Sequence, residues 1–101
     1  MEKVMMIGVT FYGVPLSGYV ETVRLLRTAS TNFIGLKRVG EAVHHAVTTK
    51  DVDGKRPIYA TPSSLYMQVR KGTVGELYDK LSSLGVSFKI ETPSGALSFL
   101  T

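Results

Sequence analysis

The chain has 101 residues, of which 44% are hydrophobic and 20% are charged, and it contains no cysteine. This length is typical of one domain, so we expect a single domain over residues 1–101. The absence of cysteine excludes disulfides and thiolate-bound zinc, and no run of about 18 apolar residues is present that would span a membrane. We therefore expect a cytoplasmic protein without a signal peptide or a membrane span.

Positive charge is concentrated in the middle of the sequence. The net charge of the whole chain is +4, but residues 22–71 carry nine basic and three acidic side chains, a local net charge of +6. A field concentrated on one part of a small domain favours binding of a polyanion. Scattered surface lysines would give the same asymmetry, so the charge alone does not decide the function.

The first apolar run predicts a β-strand over residues 3–11. Its Val, Met and Ile residues are nearly continuous, as in a strand covered on both faces or one with a covered face and a dimer contact. Apolar residues at helical spacing then predict a helix over residues 18–29. Ser17 is the expected N-cap, and Glu21 lies in the first turn, where the helix dipole favours a carboxylate.

The next segment predicts a second strand and a second helix. Partial alternation of apolar residues indicates a strand over residues 32–39, and small apolar residues at helical spacing indicate a helix over residues 41–49. Residues 50–56 are predicted to form a charged loop. Two further strand segments are expected over residues 57–60 and 64–70, the second of which alternates apolar and polar side chains.

The third helix has the strongest sequence signals. Thr73 and Glu76 have the spacing of a capping box, and the apolar residues after them are spaced for a helix over residues 73–84. Glu76 and Lys80 are four residues apart and are expected to form an ion pair. Gly85 has the position of the glycine that ends a helix.

A terminal hairpin completes the predicted fold. Strands are expected over residues 86–92 and 96–100, because Pro93-Ser94-Gly95 between them is a turn sequence. The predicted order is β-α-β-α-β-α-β-β, which indicates an α+β fold in which helices cover one layer of mixed or antiparallel sheet.

No catalytic or metal-binding motif is present in the sequence. His44 and His45 are adjacent, so on a helix their side chains point about 100° apart and cannot bind one metal together. Asp51 and Asp53 lack the further oxygen ligands of a calcium loop. We therefore expect no enzymatic activity, no metal and no cofactor.

Three tyrosines, Tyr12, Tyr59 and Tyr66, are expected outside the predicted core. An exposed ring is a platform on which an unpaired base stacks. Tyrosines also pack at the rim of a core with the hydroxyl in water, and both interpretations stay open at this point.

A set of positions within residues 4–47 carries a family resemblance. They are Pro15, Tyr19 and Val20, then Ile34, Leu36 and Lys37, and then Gly40, Ala42, Val43, Ala46 and Val47. In identity and spacing they are similar to the first half of the Alba family, small archaeal chromatin and RNA-binding proteins. The resemblance implies an Alba-like fold, in which Gly40 allows a tight turn into a helix whose N-terminus faces a phosphate.

We expect a protein that binds DNA or RNA without sequence specificity, through contacts to the phosphate backbone. The predicted contact residues are Lys37, Arg38, Gly40, Arg24, Arg27, Lys55 and Arg56. Lys37 and Arg38 are expected in a loop before the second helix, where two cations lie beside exposed helix N–H groups. The alternative is a ferredoxin-like small-ligand or protein-interaction module that binds no nucleic acid.

We also expect a homodimer. The apolar first strand and a terminal hairpin with Leu97, Phe99 and Leu100 present more apolar surface than three short helices cover. Small domains often bury such surface by symmetric pairing.

Overall fold

The computed structural model describes residues 3–31, 36–50, 57–58 and 62–100. Strands and helices alternate irregularly along this part of the chain. The strands are β1 (Val4–Pro15), β2 (Val47–Lys50), β3 (Pro57–Ile58), β4 (Ser63–Arg70), β5 (Ser87–Thr92) and β6 (Gly95–Phe99). The helices are α1 (Tyr19–Ala29), α2 (Leu36–His45) and α3 (Val74–Ser83). The predicted α+β class is confirmed, with a four-stranded antiparallel sheet and three helices.

Strand β1 lies at the centre of the sheet. It pairs antiparallel with β4 on one side and with β5 on the other, and β6 pairs with β5. The register places Val9 opposite Leu65 of β4 and Ile90 of β5. At its far end β1 also pairs parallel with β2, where Val14 is opposite Val47.

One face of this sheet is covered by the helices and the other is open. Side chains alternate in direction along a strand, so one set of residues from each strand enters the core. These residues are Ile7, Val9 and Phe11 of β1, Leu65, Met67 and Val69 of β4, and Phe88 and Ile90 of β5, all buried. They form one cluster with buried residues of all three helices, including Leu26, Val43 and Leu81. The helices therefore lie on the same side of the sheet.

The strand-to-helix unit occurs twice in the fold. Strand β1 leads through a 3-10 turn at Leu16–Gly18 into α1, and β4 leads through a 3-10 turn at Lys71–Thr73 into α3. The two strands are antiparallel neighbours, and α1 and α3 contact each other on the covered face. Each helix has a glutamate in its first turn, Glu21 and Glu76, as the helix dipole favours.

The predicted second strand is wrong over the residues that the structure describes. Residues 36–39 belong to α2, while residues 32–35 lie outside the described part of the chain. Val39 is fully buried beside Val43, one helical turn later. Helical spacing of buried residues therefore begins before Gly40. Burial of Val39 and Val43 on one helix face outweighs the partial alternation of apolar residues in the sequence.

The predicted second helix ends too late. Helix α2 stops at His45, and Val47–Lys50 is a strand instead. The backbone N–H of Val14 donates to the carbonyl oxygen of Ala46 at 2.8 Å, which holds this segment against β1. The β-branched residues Val47, Thr48 and Thr49 also favour a strand over a helix.

The ends of the helices differ from the predicted caps. Ser17 is not the N-cap of α1, because Gly18 occupies that position and no side-chain cap bond is made. The hydroxyl of Thr73 donates to the carbonyl oxygen of Arg70 at 2.7 Å, so the capping box is absent. The predicted ion pair of Glu76 and Lys80 is confirmed at 2.6 Å, and Gly85 has the left-handed φ of +78° expected after a helix.

The remaining predictions concern loops and strands. The hairpin of β5 and β6 is confirmed, and the predicted first strand extends four residues further than expected, to Pro15. Of the predicted loop 50–56 only Lys50 is described, as the last residue of β2, and of the segment 57–60 only β3 is described. In the described ranges no helix has the length and apolar character needed to cross a membrane.

Candidate nucleic-acid interface

A shallow open groove lies between α1 and α2 on the helical layer. The amphipathic α1 buries Thr22 and Leu26, so its arginines lie on the exposed side. The groove is lined by Tyr19, Val20, Val23, Arg24, Arg27, Thr28 and Gly40. Three of the residues predicted to contact nucleic acid, Arg24, Arg27 and Gly40, are thus brought to one surface.

Arg27 reaches across this groove to α2. A Cβ built on Gly40 would lie 3.9 Å from Nη2 of Arg27, which is ordinary van der Waals distance. The guanidinium group therefore lies against the backbone of α2, and an alanine would fit at position 40.

Arg24 already has an acidic neighbour. Its Nη1 donates to Oε1 of Glu21 at 2.7 Å, and the two side chains are 67% and 51% exposed. A water-exposed pair of this kind contributes at most about 1 kcal/mol to stability. A phosphate approaching the groove therefore competes with Glu21 at little cost.

The predicted basic loop is a helix. Lys37 and Arg38 lie in the first turn of α2, and Arg38 is exposed. Gly40 lies inside the same helix, and the glycines with positive φ in the described part of the chain are Gly85 and Gly95. The tight turn expected at Gly40 is therefore wrong. Lys55 and Arg56 lie outside the described residues.

The two histidines follow the arginines along the helical layer. The ring of His44 meets Tyr19 of α1 edge-on, with centroids 6.2 Å apart, and His45 lies at the same centroid distance from His44. Both histidines are exposed. Within the described ranges no three His, Asp or Glu side chains group closely enough to hold a metal ion.

The open face of the sheet is a second surface, on the opposite side of the molecule. Its side chains are the residues that alternate with the core positions in β1, β4 and β5. The largest apolar ones are Val4, Met6 and Tyr12 of β1 and Tyr66 of β4, all exposed. Tyr66 is 76% exposed although it lies on a strand paired with the central strand. The predicted exposure of Tyr12 and Tyr66 is confirmed, and Tyr59 lies outside the described residues.

Polar groups surround these rings. The hydroxyls of Thr10 and Ser64 are 2.9 Å apart on the pair of positions next to Gly8 and Tyr66. On β5, Nζ of Lys89 lies 2.8 Å from Oε1 of Glu91. The hydrogen bond and charge of Glu91, with a smaller contribution from Tyr12, raise the pKa of Lys89, so its ammonium group stays charged.

Three cations meet where β1 begins and β4 ends. Lys3, Arg70 and Lys71 line a shallow cavity there together with Gly72 and Thr73. The backbone N–H of Lys71 donates to the carbonyl oxygen of Lys3 at 2.9 Å, which fixes the start of β1 against the end of β4. We call Lys3, Arg70 and Lys71 the basic corner.

The sequence does not predict the basic corner. Arg70 and Lys71 belong to the charged middle of the chain, but nothing in the sequence places Lys3 beside them. Only the pairing of β1 with β4, in which Val4 is opposite Arg70, brings the two ends together. The alternation of β4 does predict part of this surface, because it places Arg70 on the same face of the strand as Tyr66.

A third concavity lies between α1 and α3. It has an apolar floor and a polar or charged rim. The floor consists of Leu25, Ala29 and Leu77, and the rim of Arg70, Glu76, Lys80, Thr28 and Thr73. Its volume is about 170 Å³, below the roughly 300–1,000 Å³ of most small-molecule sites. This difference argues against a drug-sized ligand there.

No protein-family model, curated protein or solved structure matches the chain.

Proposed function

We propose that the protein binds DNA or RNA without sequence specificity, by holding the phosphate backbone against the groove between α1 and α2. One observation carries this proposal: Arg24 and Arg27 lie on one wall of a groove whose other wall contains Gly40. Arg38 is exposed in the first turn of α2, the helix that also contains Gly40. The resemblance to the Alba family favours the same function.

The chemistry of the groove suits a backbone ligand. Arginine presents a planar fork of N–H donors that matches two phosphate oxygens, and it remains charged at every physiological pH. The groove is shallow and open, so it offers no enclosed pocket that would select one base or one small molecule. Contacts of this type position a nucleic acid without reading its sequence.

The experiment is a salt titration of affinity. Binding of a fluorescently labelled DNA and of the matching RNA is measured by anisotropy at several salt concentrations, for the wild type and for Arg24→Ala/Arg27→Ala. The double variant should bind both ligands more weakly and reduce the slope of log K against log salt by about 1 to 2, because each lost phosphate contact releases about one counterion fewer.

The matched control is Lys80→Ala compared with Arg27→Ala. Lys80 is a half-exposed cation on α3, away from this groove, and it pairs with Glu76. Its removal changes the net charge by the same amount as Arg27→Ala but should leave the salt slope unchanged. Equal effects of Lys80→Ala and Arg27→Ala would show that only overall charge matters and that the groove is not the site.

The second candidate is a ferredoxin-like protein-interaction module, which the order of strands favours. In the split β-α-β arrangement, two strand-helix units lie side by side with their strands antiparallel, as β1-α1 and β4-α3 do here. Strand β5 then returns beside β1, as that arrangement requires. This candidate predicts no binding of either nucleic acid, even at low salt, so the same titration separates the two functions.

We further propose that the protein is a homodimer that pairs through β6. In the described part of the chain no strand pairs with the outer edge of β6, and residues 93–100 carry no charge. Leu97 and Leu100 are 45% and 69% exposed. Unpaired, uncharged strand edges are templates for pairing with another chain, which supports association of two copies.

A further inference from the structure

We infer that the open face of the sheet is a second binding surface, which takes single-stranded nucleic acid by stacking unpaired bases on Tyr66 and Tyr12 and holding phosphates at the basic corner. This inference goes beyond the proposed function, because the groove between α1 and α2 lies on the opposite layer. It also narrows the ligand class, since only unpaired bases present their ring faces to a protein surface.

The position of Tyr66 is the first observation. An exposed aromatic ring on a strand next to the centre of a sheet leaves a large apolar area in water, which marks a binding surface when neighbouring side chains add to it. The ring edge rests over Gly8, where a Cβ would lie 3.1 Å from Cε1 and 3.4 Å from Cδ1. Gly8 therefore allows the ring to approach the sheet while the rest of it faces solvent.

A second ring lies on the same face. Tyr12 follows Gly8 by four residues on β1, a distance of about 13 Å at the usual rise of a strand. It is 39% exposed. Two rings at this separation stack separate bases of one strand. Stacking on an aromatic side chain tolerates every base, so it agrees with binding that lacks sequence specificity.

The polar groups between the rings suit bases better than a dry protein contact. The paired hydroxyls of Thr10 and Ser64 lie between the two tyrosine positions and offer hydrogen bonds to base edges. A second sheet packed on this face would bury those hydroxyls and the ion pair of Lys89 with Glu91. Removing these groups from water costs free energy that a flat apolar partner does not return.

Charge complementarity points to a polyanion. Arg70 lies on the same face as Tyr66, four residues later on β4, and Lys3 and Lys71 complete the basic corner beside it. A strand of nucleic acid with a base on Tyr66 would place neighbouring phosphates toward this corner. A duplex cannot use the tyrosines in this way, because its bases are stacked in its interior.

The experiment compares Tyr66→Leu with Tyr66→Phe, using a labelled oligothymidylate as single strand and a labelled duplex of mixed sequence. Tyr66→Leu keeps apolar area but removes the ring, and it should weaken binding of the single strand by about 5- to 150-fold. Tyr66→Phe keeps the ring and should bind as the wild type does. Lys71→Ala should weaken the single strand and reduce its salt slope by about 1.

Intrinsic fluorescence gives a second readout. The chain has five tyrosines and no tryptophan, so its emission comes from tyrosine alone. Saturating oligothymidylate should quench this emission in the wild type, and Tyr66→Leu should remove part of the quenching. Circular dichroism and urea unfolding of both variants show whether the fold is kept.

The outcomes separate this inference from the proposed function. Loss of single-strand binding in Tyr66→Leu supports the open face, and it rejects the groove if Arg24→Ala/Arg27→Ala binds both the single strand and the duplex as the wild type does. Loss in the arginine variant with Tyr66→Leu unaffected overturns the inference and leaves the proposed function standing. A folded Tyr66→Leu that binds single strand as the wild type does, or that changes only the oligomeric state, overturns the inference. A wild type that binds neither ligand at low salt overturns both.

Discussion

Gly8 of β1 and Tyr66 of β4 are directly opposite each other, and a Cβ on Gly8 would lie 3.1 Å from Cε1 of the tyrosine ring. A methyl group at position 8 would therefore displace the ring by a few tenths of an ångström. In a strand, glycine is less stable than alanine by about 0.5–1 kcal/mol because it has more freedom to lose on folding. Replacing Gly8 with alanine would therefore stabilise the strand, but in the wild type this stabilisation is offset by the displacement of the Tyr66 ring.

We predict that Gly8→Ala raises the free energy of unfolding by about 0.5–1 kcal/mol in a Tyr66→Ala background but by less in the wild type. The measurement is a double-mutant cycle by urea unfolding. Equal effects of Gly8→Ala in the two backgrounds would show that the ring does not rest on Gly8 in solution.

A second prediction concerns Thr22, which is fully buried in α1. Its Oγ1 has no hydrogen-bond partner within the described part of the chain. A buried hydroxyl without a partner costs roughly 1–3 kcal/mol. Thr22→Val keeps the shape of the side chain and removes the hydroxyl, so it should raise the free energy of unfolding by about 1 kcal/mol.

The matched variant is Thr22→Ser, which keeps the hydroxyl and deletes the methyl group. It should lower the free energy of unfolding by about 1 kcal/mol, because a buried methyl group is lost and a small cavity is left. Urea unfolding measures both variants. Destabilisation by Thr22→Val would mean that the hydroxyl is hydrogen-bonded in solution.

The sequence predicts those parts of the fold in which local signals agree with tertiary packing. Strand β4 alternates, and its two sets of residues do lie on opposite faces, with Leu65 in the core and Tyr66 in water. Helix α3 has apolar residues at helical spacing and a glycine after its end, and it forms where expected. At these places several independent preferences select the same structure.

Prediction from the sequence fails where local signals conflict or where residues distant in the sequence come into contact. Residues 36–39 contain both alternating and helical apolar positions, and burial of Val39 beside Val43 selects the helix. For the candidate sites, the spacing of Arg24 and Arg27 correctly put them on one helix face. Their approach to Gly40, and the approach of Lys3 to Arg70, depend on packing between elements, which one sequence does not encode locally.

A third prediction concerns pH and the ion pair of α3. The hydrogen bond and charge of Lys80 lower the pKa of Glu76. A lowered pKa in the folded state means that the pair stabilises the fold above the ordinary glutamate pKa of about 4.3 and that this stability is lost as the pH falls through the lowered pKa. The melting temperature of the wild type should therefore exceed that of Glu76→Gln at pH 7.

This difference should shrink as the pH falls below the ordinary glutamate pKa of about 4.3, and it should vanish below the lowered pKa, where Glu76 is neutral in the folded protein. Asp79→Asn is the control on the same helix, because Asp79 makes no ion pair with the described residues. Thermal unfolding followed by circular dichroism across this pH range measures all three proteins. A wild-type advantage that persists in acid would show that Glu76 acts through something other than its charge.

The last prediction concerns β6 and the proposed homodimer. Tyr78 of α3 holds this strand from one side, with its hydroxyl donating to the carbonyl oxygen of Ser98 at 3.2 Å and its ring meeting Phe99 edge-on. Within the described ranges no other strand pairs with the outer edge of β6, and Leu97 at its middle is 45% exposed. Antiparallel pairing of two copies about Leu97 would satisfy the edge of both strands and bury the two leucines together.

Leu97→Lys should therefore convert the dimer to a monomer, because two lysines would meet at the symmetry axis, while the exposed position tolerates the charge in the monomer. Sedimentation at several protein concentrations measures the mass, and circular dichroism confirms that the hairpin is kept. Val20→Lys is the matched control, since Val20 is 60% exposed on α1, away from β6. A wild-type protein that sediments at 11.0 kDa at every concentration would contradict the dimer, and loss of association in Val20→Lys alone would place the contact on the helical layer instead.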